Sequence, residues 1–173
     1  HQYGENSFRL YGLPFLAKGK VAGLIGANGI GKTTVLNILA GKLVPNGGNY
    51  ELEVVDFAYL LNSVKLSVHR AYFRALKNKE IKVAYKEQVL TTLREESKET
   101  ETVGELLEKA DELGKKRALI KDLQLQNLLE KPSFQLSGGE RQRLALSLAL
   151  AKDANVYLID EPGNFLDIKQ RLN

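Results

Sequence analysis

Apolar residues along this chain follow two patterns, short continuous runs and spacings of three to four residues. Short apolar runs at residues 21–25 and 156–159 predict buried, parallel strands, and residues 81–85, which Lys82 interrupts, predict another strand. Helical spacing covers the other apolar stretches, at residues 33–43, 66–77, 102–113, 115–125 and 136–152. This alternation predicts an α/β domain with a mainly parallel sheet.

The composition is that of one ordinary globular domain. Of its 173 residues 43% are hydrophobic, and no apolar run approaches the roughly 18–20 residues that span a bilayer. We therefore expect a soluble protein without membrane insertion. The chain contains no cysteine, which excludes an iron–sulfur cluster in this segment, and its two histidines offer little for metal binding. It starts at His1 and shows no signal peptide, so we expect a cytoplasmic fragment of a longer protein.

Positive charge is concentrated in one segment, although the net charge of the whole chain is only +4. Residues 65–86 carry seven basic side chains, the last of them Lys86, and one acid. Arg70, Arg74 and Lys77 fall on one face of the helix predicted there. Such a face indicates contact with a polyanion such as nucleic acid, and a solvated helix surface is the alternative interpretation.

Residues 26–33 fit the pattern G-x-x-x-x-G-K-[ST] without a gap, and they lie between a predicted strand and a predicted helix. Glycines allow successive backbone N–H groups to curl around phosphates, while Lys32 reaches the β- and γ-phosphates and the Thr33 hydroxyl can bind Mg²⁺. A purely structural glycine turn would not need this lysine and threonine. The segment therefore predicts a phosphate-binding loop.

Two acids follow the last predicted strand. Asp160 closes the apolar run, as does the acid that holds Mg²⁺ through water in phosphate-loop NTPases. Glu161 comes next and is placed to polarise an attacking water. Acids at strand ends are common, so these two gain weight from the phosphate loop that precedes them.

Residues 136–140, Leu-Ser-Gly-Gly-Glu, stand directly before a long apolar helix. The glycines leave backbone N–H groups accessible at the helix start, where the helix dipole favours an anion such as phosphate. Ser137 and Glu140 also form the sequence of a capping box, which would begin a helix in any protein. Both interpretations stay open at this point.

Together, the phosphate loop, residues 136–140 and residues 158–162 resemble the ABC-type ATPases in order and spacing. The resemblance covers nearly the whole chain and implies a P-loop NTPase fold of the ABC-ATPase type. It also implies a helical subdomain over 89–150 that carries the family's signature motif, here residues 136–140. It implies one nucleotide-binding domain over 1–173, C-terminally incomplete because the family's γ-phosphate histidine would lie beyond Asn173. Two such domains face each other head to tail, and ATP lies between the phosphate loop of one and the signature of the other.

The resemblance also assigns individual roles. Lys32, Gln88 and Glu161 are the implied catalytic residues, and Thr33, Gln88 and Asp160 the implied Mg²⁺ ligands. Tyr3 matches the aromatic that stacks on adenine, with Phe8 as the second choice and edge-strand packing as the alternative for both. The remaining implied ATP contacts are Asn28, Gly29, Ile30, Gly31, Thr34, Ser137, Gly138, Gly139, Glu140 and, in the D-loop, Asp167. Gln88 matches the glutamine of the family's Q-loop. Because Glu87 stands before it where the family usually has proline, we expect this loop to be shaped differently.

A narrower resemblance is carried by residues 1–14, 28–34, 38–46 and 166–172. They are similar to the first nucleotide-binding domain of the ribosome-recycling ABC ATPases, subfamily E or RNase L inhibitor. This resemblance implies that the domain closes on a second nucleotide-binding domain and that the closure splits ribosomes. It also implies a helix-loop-helix insertion over 52–79 and contact of the basic segment 65–86 with the small-subunit rRNA. The alternatives are the ATPase subunit of an ABC membrane transporter and a non-hydrolysing, nucleotide-gated binding module.

Overall fold

The computed structural model describes residues 1–52, 55–86 and 101–164. The chain forms two compact units, His1–Lys82 and Val83–Asn173. The first contains the phosphate loop, and the second contains the acidic strand end and the predicted signature.

The described residues of the first unit form three helices: α1 at Lys32–Leu39, α2 at Phe57–Ser63 and α3 at Ser67–Lys77. Asp56 caps α2 by accepting a hydrogen bond from the Tyr59 backbone at 2.8 Å. Each helix contributes one side chain to a shared core, namely Ile38, Leu60 and Phe73. The Tyr72 hydroxyl donates to the Leu39 carbonyl at 2.6 Å, and burial raises the pKa of Tyr72 to about 12. This core holds the helix that follows the phosphate loop.

The strand predicted over 21–25 is wrong. Val21 and Ile25 are fully exposed, and the residues between them form no strand. A strand needs a neighbour that pairs with its backbone and a surface that covers its side chains. The described residues of the first unit supply no such neighbouring strand. The helix predicted over 33–43 also ends early, at Leu39, because Gly41 adopts the left-handed conformation (φ 72°) that terminates helices.

The second unit contains two parallel strands, β1 at Val83–Lys86 and β2 at Val156–Ile159. Val83 pairs with Val156, and Lys86 pairs with Ile159. The second of these strands lies where the sequence predicted it, whereas β1 begins two residues later than predicted. Because the strands are parallel, their carboxyl ends meet at one edge of the sheet, and the acidic pair follows β2 at that edge.

The second unit also contains α4 at Val103–Ala110, α5 at Lys116–Asp122 and α6 at Gly138–Leu150. Short 3₁₀ helices at Gln126–Leu128 and Ser133–Gln135 connect α5 to α6. Thr102 and Glu105 form a capping box at the start of α4. These elements enclose an aliphatic core of Val103, Leu107, Leu125, Leu128, Leu136 and Leu144. Each fully buried leucine stabilises the fold by about 1.5–3 kcal/mol, so the start of α6 is firmly held.

Candidate nucleotide-binding site

The phosphate loop is an exposed turn made almost entirely of backbone. Gly29 and Gly31 have φ angles of 80° and 95°, in the left-handed region that favours glycine. Gly31 is the N-cap of α1, and among the described residues no side chain caps this helix. The N-terminal turn of α1 therefore presents backbone donors and a positive dipole end, the combination that binds phosphate.

The lysine of the loop lies across it. Lys32 Nζ donates to the carbonyl oxygens of Gly26 and Ala27, both at 2.9 Å. The adjacent Asn28 and Ile30 are exposed, and Thr33 belongs to the first turn of α1. An ammonium group and glycine backbone are thus brought together as the sequence predicted.

Both predicted aromatic side chains contact the phosphate loop or α1. A Cβ atom on Gly31 would lie 2.1 Å from Cζ of Phe8, so the Phe8 ring packs directly on this glycine. The Tyr3 hydroxyl lies 3.2 Å from Thr34 Oγ1, and the Tyr3 and Phe8 ring centroids are 6.4 Å apart. Tyr3 keeps 57% of its surface exposed, which leaves an aromatic face available beside the loop.

The turn that follows β2, residues 160–164 (the acidic turn), begins at a buried residue and ends at an exposed one. Asp160 is only 2% exposed, and its backbone N–H donates to the Lys86 carbonyl at 2.9 Å, which extends the pairing of the two strands. Glu161 follows with a φ of 47°, which is unusual for a residue other than glycine. Its carboxylate accepts a hydrogen bond from the Asn164 side chain. The turn thus places two successive acids directly after the strand end, the second of them in an unusual backbone conformation.

Two side chains that the sequence analysis did not single out hold this turn. Lys86 Nζ donates to the Asp160 carbonyl at 2.7 Å, and Gln142 Nε2 donates to the carbonyls of Glu161 and Pro162 at 2.8 and 3.0 Å. Burial lowers the pKa of Lys86, while the nearby carboxylates of Asp160 and Glu161 act in the opposite direction. The sequence carries no local signal for either contact, because Lys86 lies one residue beyond the predicted strand and Gln142 is one of several polar residues in a predicted helix.

Lys86 also corrects the predicted basic segment. It counts among the seven basic side chains of residues 65–86, but its side chain is 4% exposed. It cannot belong to an exposed surface that contacts RNA. The exposed cations of this segment include Arg70, Arg74 and Lys77 on α3, a helix that buries His69 and Phe73.

Residues 136–140 form the capping box in full. Ser137 Oγ accepts from the Glu140 backbone at 3.4 Å, and the Ser137 N–H donates to the Glu140 carboxylate at 2.7 Å. The Ser137 N–H lowers the pKa of Glu140, and Lys131 at 3.0 Å adds to this effect. Ser137 and Gly138 are exposed and Gly139 is half-buried. The cap therefore exists and leaves the glycine backbone accessible.

Two predicted site residues, Gln88 and Asp167, lie outside the described residues. Over the parts of the chain that the structure does describe, no group of three or more His, Cys, Asp or Glu side chains could hold a metal ion. No helix within those same ranges is long and apolar enough to cross a membrane.

The ABC transporter family matches residues 15–164 of this chain. An uncharacterized ABC transporter ATP-binding protein of Methanocaldococcus jannaschii is 43% identical over 173 residues, which is all of this chain and 28% of that protein. ABC transporter E family member 3 of Arabidopsis thaliana is 31% identical over 151 residues, 86% of this chain and 71% of that protein.

The fold is also that of a solved structure. A chain in the crystal structure of the complex of archaeal ribosomal stalk protein aP1 and archaeal ribosome recycling factor aABCE1 matches with a TM-score of 0.89 and 41% identity. The match covers 99% of this chain and 32% of that one. The predicted fold class, an α/β P-loop NTPase of the ABC-ATPase type, is confirmed. By its sequence, its fold and its phosphate loop, this chain belongs to the ABC transporter family and, within it, to the E family.

Proposed function

We propose that this chain is the first nucleotide-binding domain of a ribosome-recycling ABC ATPase. It binds ATP and Mg²⁺ and closes on a second nucleotide-binding domain, and this closure drives the splitting of ribosomal subunits in the cytoplasm. The observation that carries the proposal is the glycine loop with Lys32 folded onto it at the start of α1. The similarity to an archaeal ribosome recycling factor supports the choice of process.

The residues present fit ATP and Mg²⁺. Lys32 and the loop amides match the charge of the phosphates, and the rings of Tyr3 and Phe8 suit adenine. Mg²⁺ prefers oxygen ligands and takes only one or two from the protein when phosphates supply the rest. The hydroxyl of Thr33 and the carboxylate of Asp160 are such ligands, and we propose Gln88 as a third. Once bound, Mg²⁺ neutralises charge that develops on the phosphate oxygens.

Hydrolysis requires a group that orients or deprotonates the attacking water. It also requires a cation that stabilises the charge on the transferred phosphoryl group. We assign the first role to the Glu161 carboxylate, which the Asn164 amide already orients. Lys32 and the backbone N–H groups of the loop stabilise the charge on the transferred phosphoryl group. Gln88 is the further catalytic residue of this proposal.

The signature contacts a nucleotide held by a partner domain. Ser137 and Gly138 are exposed at the start of α6, where the helix dipole favours phosphate, and Gly139 and Glu140 complete the turn. Asp167 would contact the same interface. Each chain therefore supplies half of two ATP sites.

The small ribosomal subunit is the second proposed partner. Helices α2 and α3 are joined by a short loop within the proposed insertion at 52–79, and α3 presents Arg70, Arg74 and Lys77 on an exposed face. Phosphate contacts of this kind position a protein on RNA without reading its sequence.

Co-sedimentation with ribosomal subunits tests this partner. In the full-length protein with a non-hydrolysable ATP analogue, Arg74→Glu/Lys77→Glu should reduce binding at least about tenfold at 100 mM salt. The control, Lys18→Glu/Lys20→Glu, makes the same charge change at two exposed lysines of the same unit. Equal binding by all three proteins would contradict the ribosome contact and favour a transporter subunit.

Phosphate release tests the enzymatic step. Glu161→Gln keeps the size of the side chain and removes its charge, so it should lower kcat by about 100-fold or more while ATP still binds. Equal release by both proteins would remove the catalytic role and leave a nucleotide-gated binding module.

A further inference from the structure

Three consecutive backbone carbonyls at the acidic turn accept hydrogen bonds from two side chains. Lys86 Nζ donates to Asp160 O at 2.7 Å, and Gln142 Nε2 donates to Glu161 O and Pro162 O at 2.8 and 3.0 Å. Lys86 belongs to β1, and Gln142 lies on α6. Two elements far apart in the sequence therefore hold three successive backbone carbonyls of the same turn.

Both side chains are buried, with 4% and 1% of their surfaces exposed. Burying an ammonium or an amide is unfavourable unless its donors are satisfied. Apolar side chains would fill the same space without this cost in desolvation free energy. The placement of Lys86 and Gln142 thus requires a reason beyond packing. Their targets supply one, because the carbonyls belong to the residues that carry the acidic pair.

The turn itself needs support. Glu161 has a φ of 47°, a left-handed conformation that L-residues adopt only when the surroundings impose it. Such conformations are concentrated at functional sites, where they aim a side chain in a required direction. Glu161 lies between two peptide planes, one with the Asp160 carbonyl and one with its own carbonyl. Hydrogen bonds to both of these carbonyls, and to that of Pro162, hold the two planes and therefore the φ of Glu161.

We propose that Lys86 and Gln142 form a carbonyl clamp, a pair of positioning residues that aims the Glu161 carboxylate for water activation. This inference rests on the proposed ATPase function. Neither side chain touches the reacting atoms, so both act through the backbone of Glu161.

The carbonyl clamp also connects the signature to the acidic turn. Gln142 lies five residues after Ser137, about 7.5 Å along α6 at 1.5 Å per residue. A helix moves as a rigid element over so short a distance. A shift of the α6 start when it engages a nucleotide would carry Gln142, and with it the carbonyls of Glu161 and Pro162.

Methionine substitutions separate positioning from packing. Lys86→Met and Gln142→Met keep an unbranched chain of similar length and remove the donor. In the full-length protein each should lower kcat for ATP hydrolysis by about 10- to 100-fold, the loss expected from a displacement near 1 Å, while KM for ATP changes less than about threefold. The matched controls are Lys121→Met and Gln126→Met, at exposed positions of the same unit.

Hydrogen exchange supplies a readout that does not depend on activity. In nucleotide-free protein, the amides of Glu161, Gly163 and Asn164 should exchange at least about fivefold faster in Gln142→Met than in Gln126→Met, with melting temperatures showing both variants folded. Unchanged exchange at these amides, or an unchanged kcat in both clamp variants, would overturn the proposal. A protein without any ATPase activity would instead refute the proposed function, and the exchange rates would still decide whether the carbonyl clamp orders the turn.

Discussion

The phosphate loop and the acidic turn carry opposite halves of the proposed chemistry and are built by opposite means. The loop is exposed, and its shape comes from glycines at φ angles of 80° and 95°. The acidic turn starts at the buried Asp160, and its shape comes from the buried side chains of Lys86 and Gln142, which hold it from other elements. A site made from backbone can be predicted from a few consecutive residues, whereas a site held by side chains distant in the sequence cannot.

The largest expected effect concerns Lys32, the cation of the loop. Lys32→Ala removes the cation, so kcat/KM for ATP should fall by about 100-fold or more. Stability should change little, because Lys32 Nζ bonds only to exposed loop carbonyls. Steady-state kinetics and a thermal melt measure the two effects. The control is Lys18→Ala at another exposed lysine, and equal activity of the two variants would show that the loop works by backbone alone.

The backbone of the loop can be tested with a matched pair of glycines. Gly31→Ala places a methyl group in the left-handed region and against the Phe8 ring, so we expect a loss of about 2 kcal/mol or more in the free energy of unfolding. Gly29→Ala has the same strain but meets nothing within 4 Å, so about 1 kcal/mol is expected. Urea denaturation of both variants gives the difference. If Gly29→Ala is at least as destabilising, Phe8 does not pack on the loop as described.

This contrast explains what could be predicted from the sequence. The phosphate loop needs eight consecutive residues, and both its identity and its place before α1 were predictable. β2 and the two capping boxes were also predictable, because each depends on a short local pattern. The fold class followed from the order of these motifs.

The contacts of Lys86 and Gln142 could not be predicted in this way. Lys86 meets Asp160 across 74 residues, and Gln142 meets Glu161 across 19. In the sequence, Lys86 is one of several lysines in a basic segment, and its burial depends on β2 and α6, which pack against β1 from far along the chain. The apolar run at 21–25 failed for a related reason, since a strand depends on a neighbour that the run itself does not specify.

The signature lies between these extremes, since its glycines are exposed but its serine is a helix cap. Ser137→Ala removes the side chain that accepts from the Glu140 N–H, so we expect a loss of about 1 kcal/mol in stability. Ser67→Ala, at an exposed serine in the first turn of α3, a helix that no described side chain caps, is the control. A thermal melt compares them, and a neutral Ser137→Ala would leave nucleotide contact as the sole role of Ser137.

The smallest effect is the pH dependence of the same capping box. Hydrogen bonding to the Ser137 N–H, aided by Lys131, holds the pKa of Glu140 below its ordinary value of 4.5. The folded protein therefore binds this proton less readily than the unfolded chain does, and the resulting stability is complete above pH 4.5 and disappears as pH falls through the folded pKa. Glu140→Gln should be less stable than the parent by about 0.3–1 kcal/mol at pH 7, with the gap narrowing below pH 4.5. Melting curves from pH 3 to 7 measure this gap. A constant gap would mean that Glu140 stabilises α6 by shape and hydrogen bonding alone, and that its charge plays no part in the start of the signature helix.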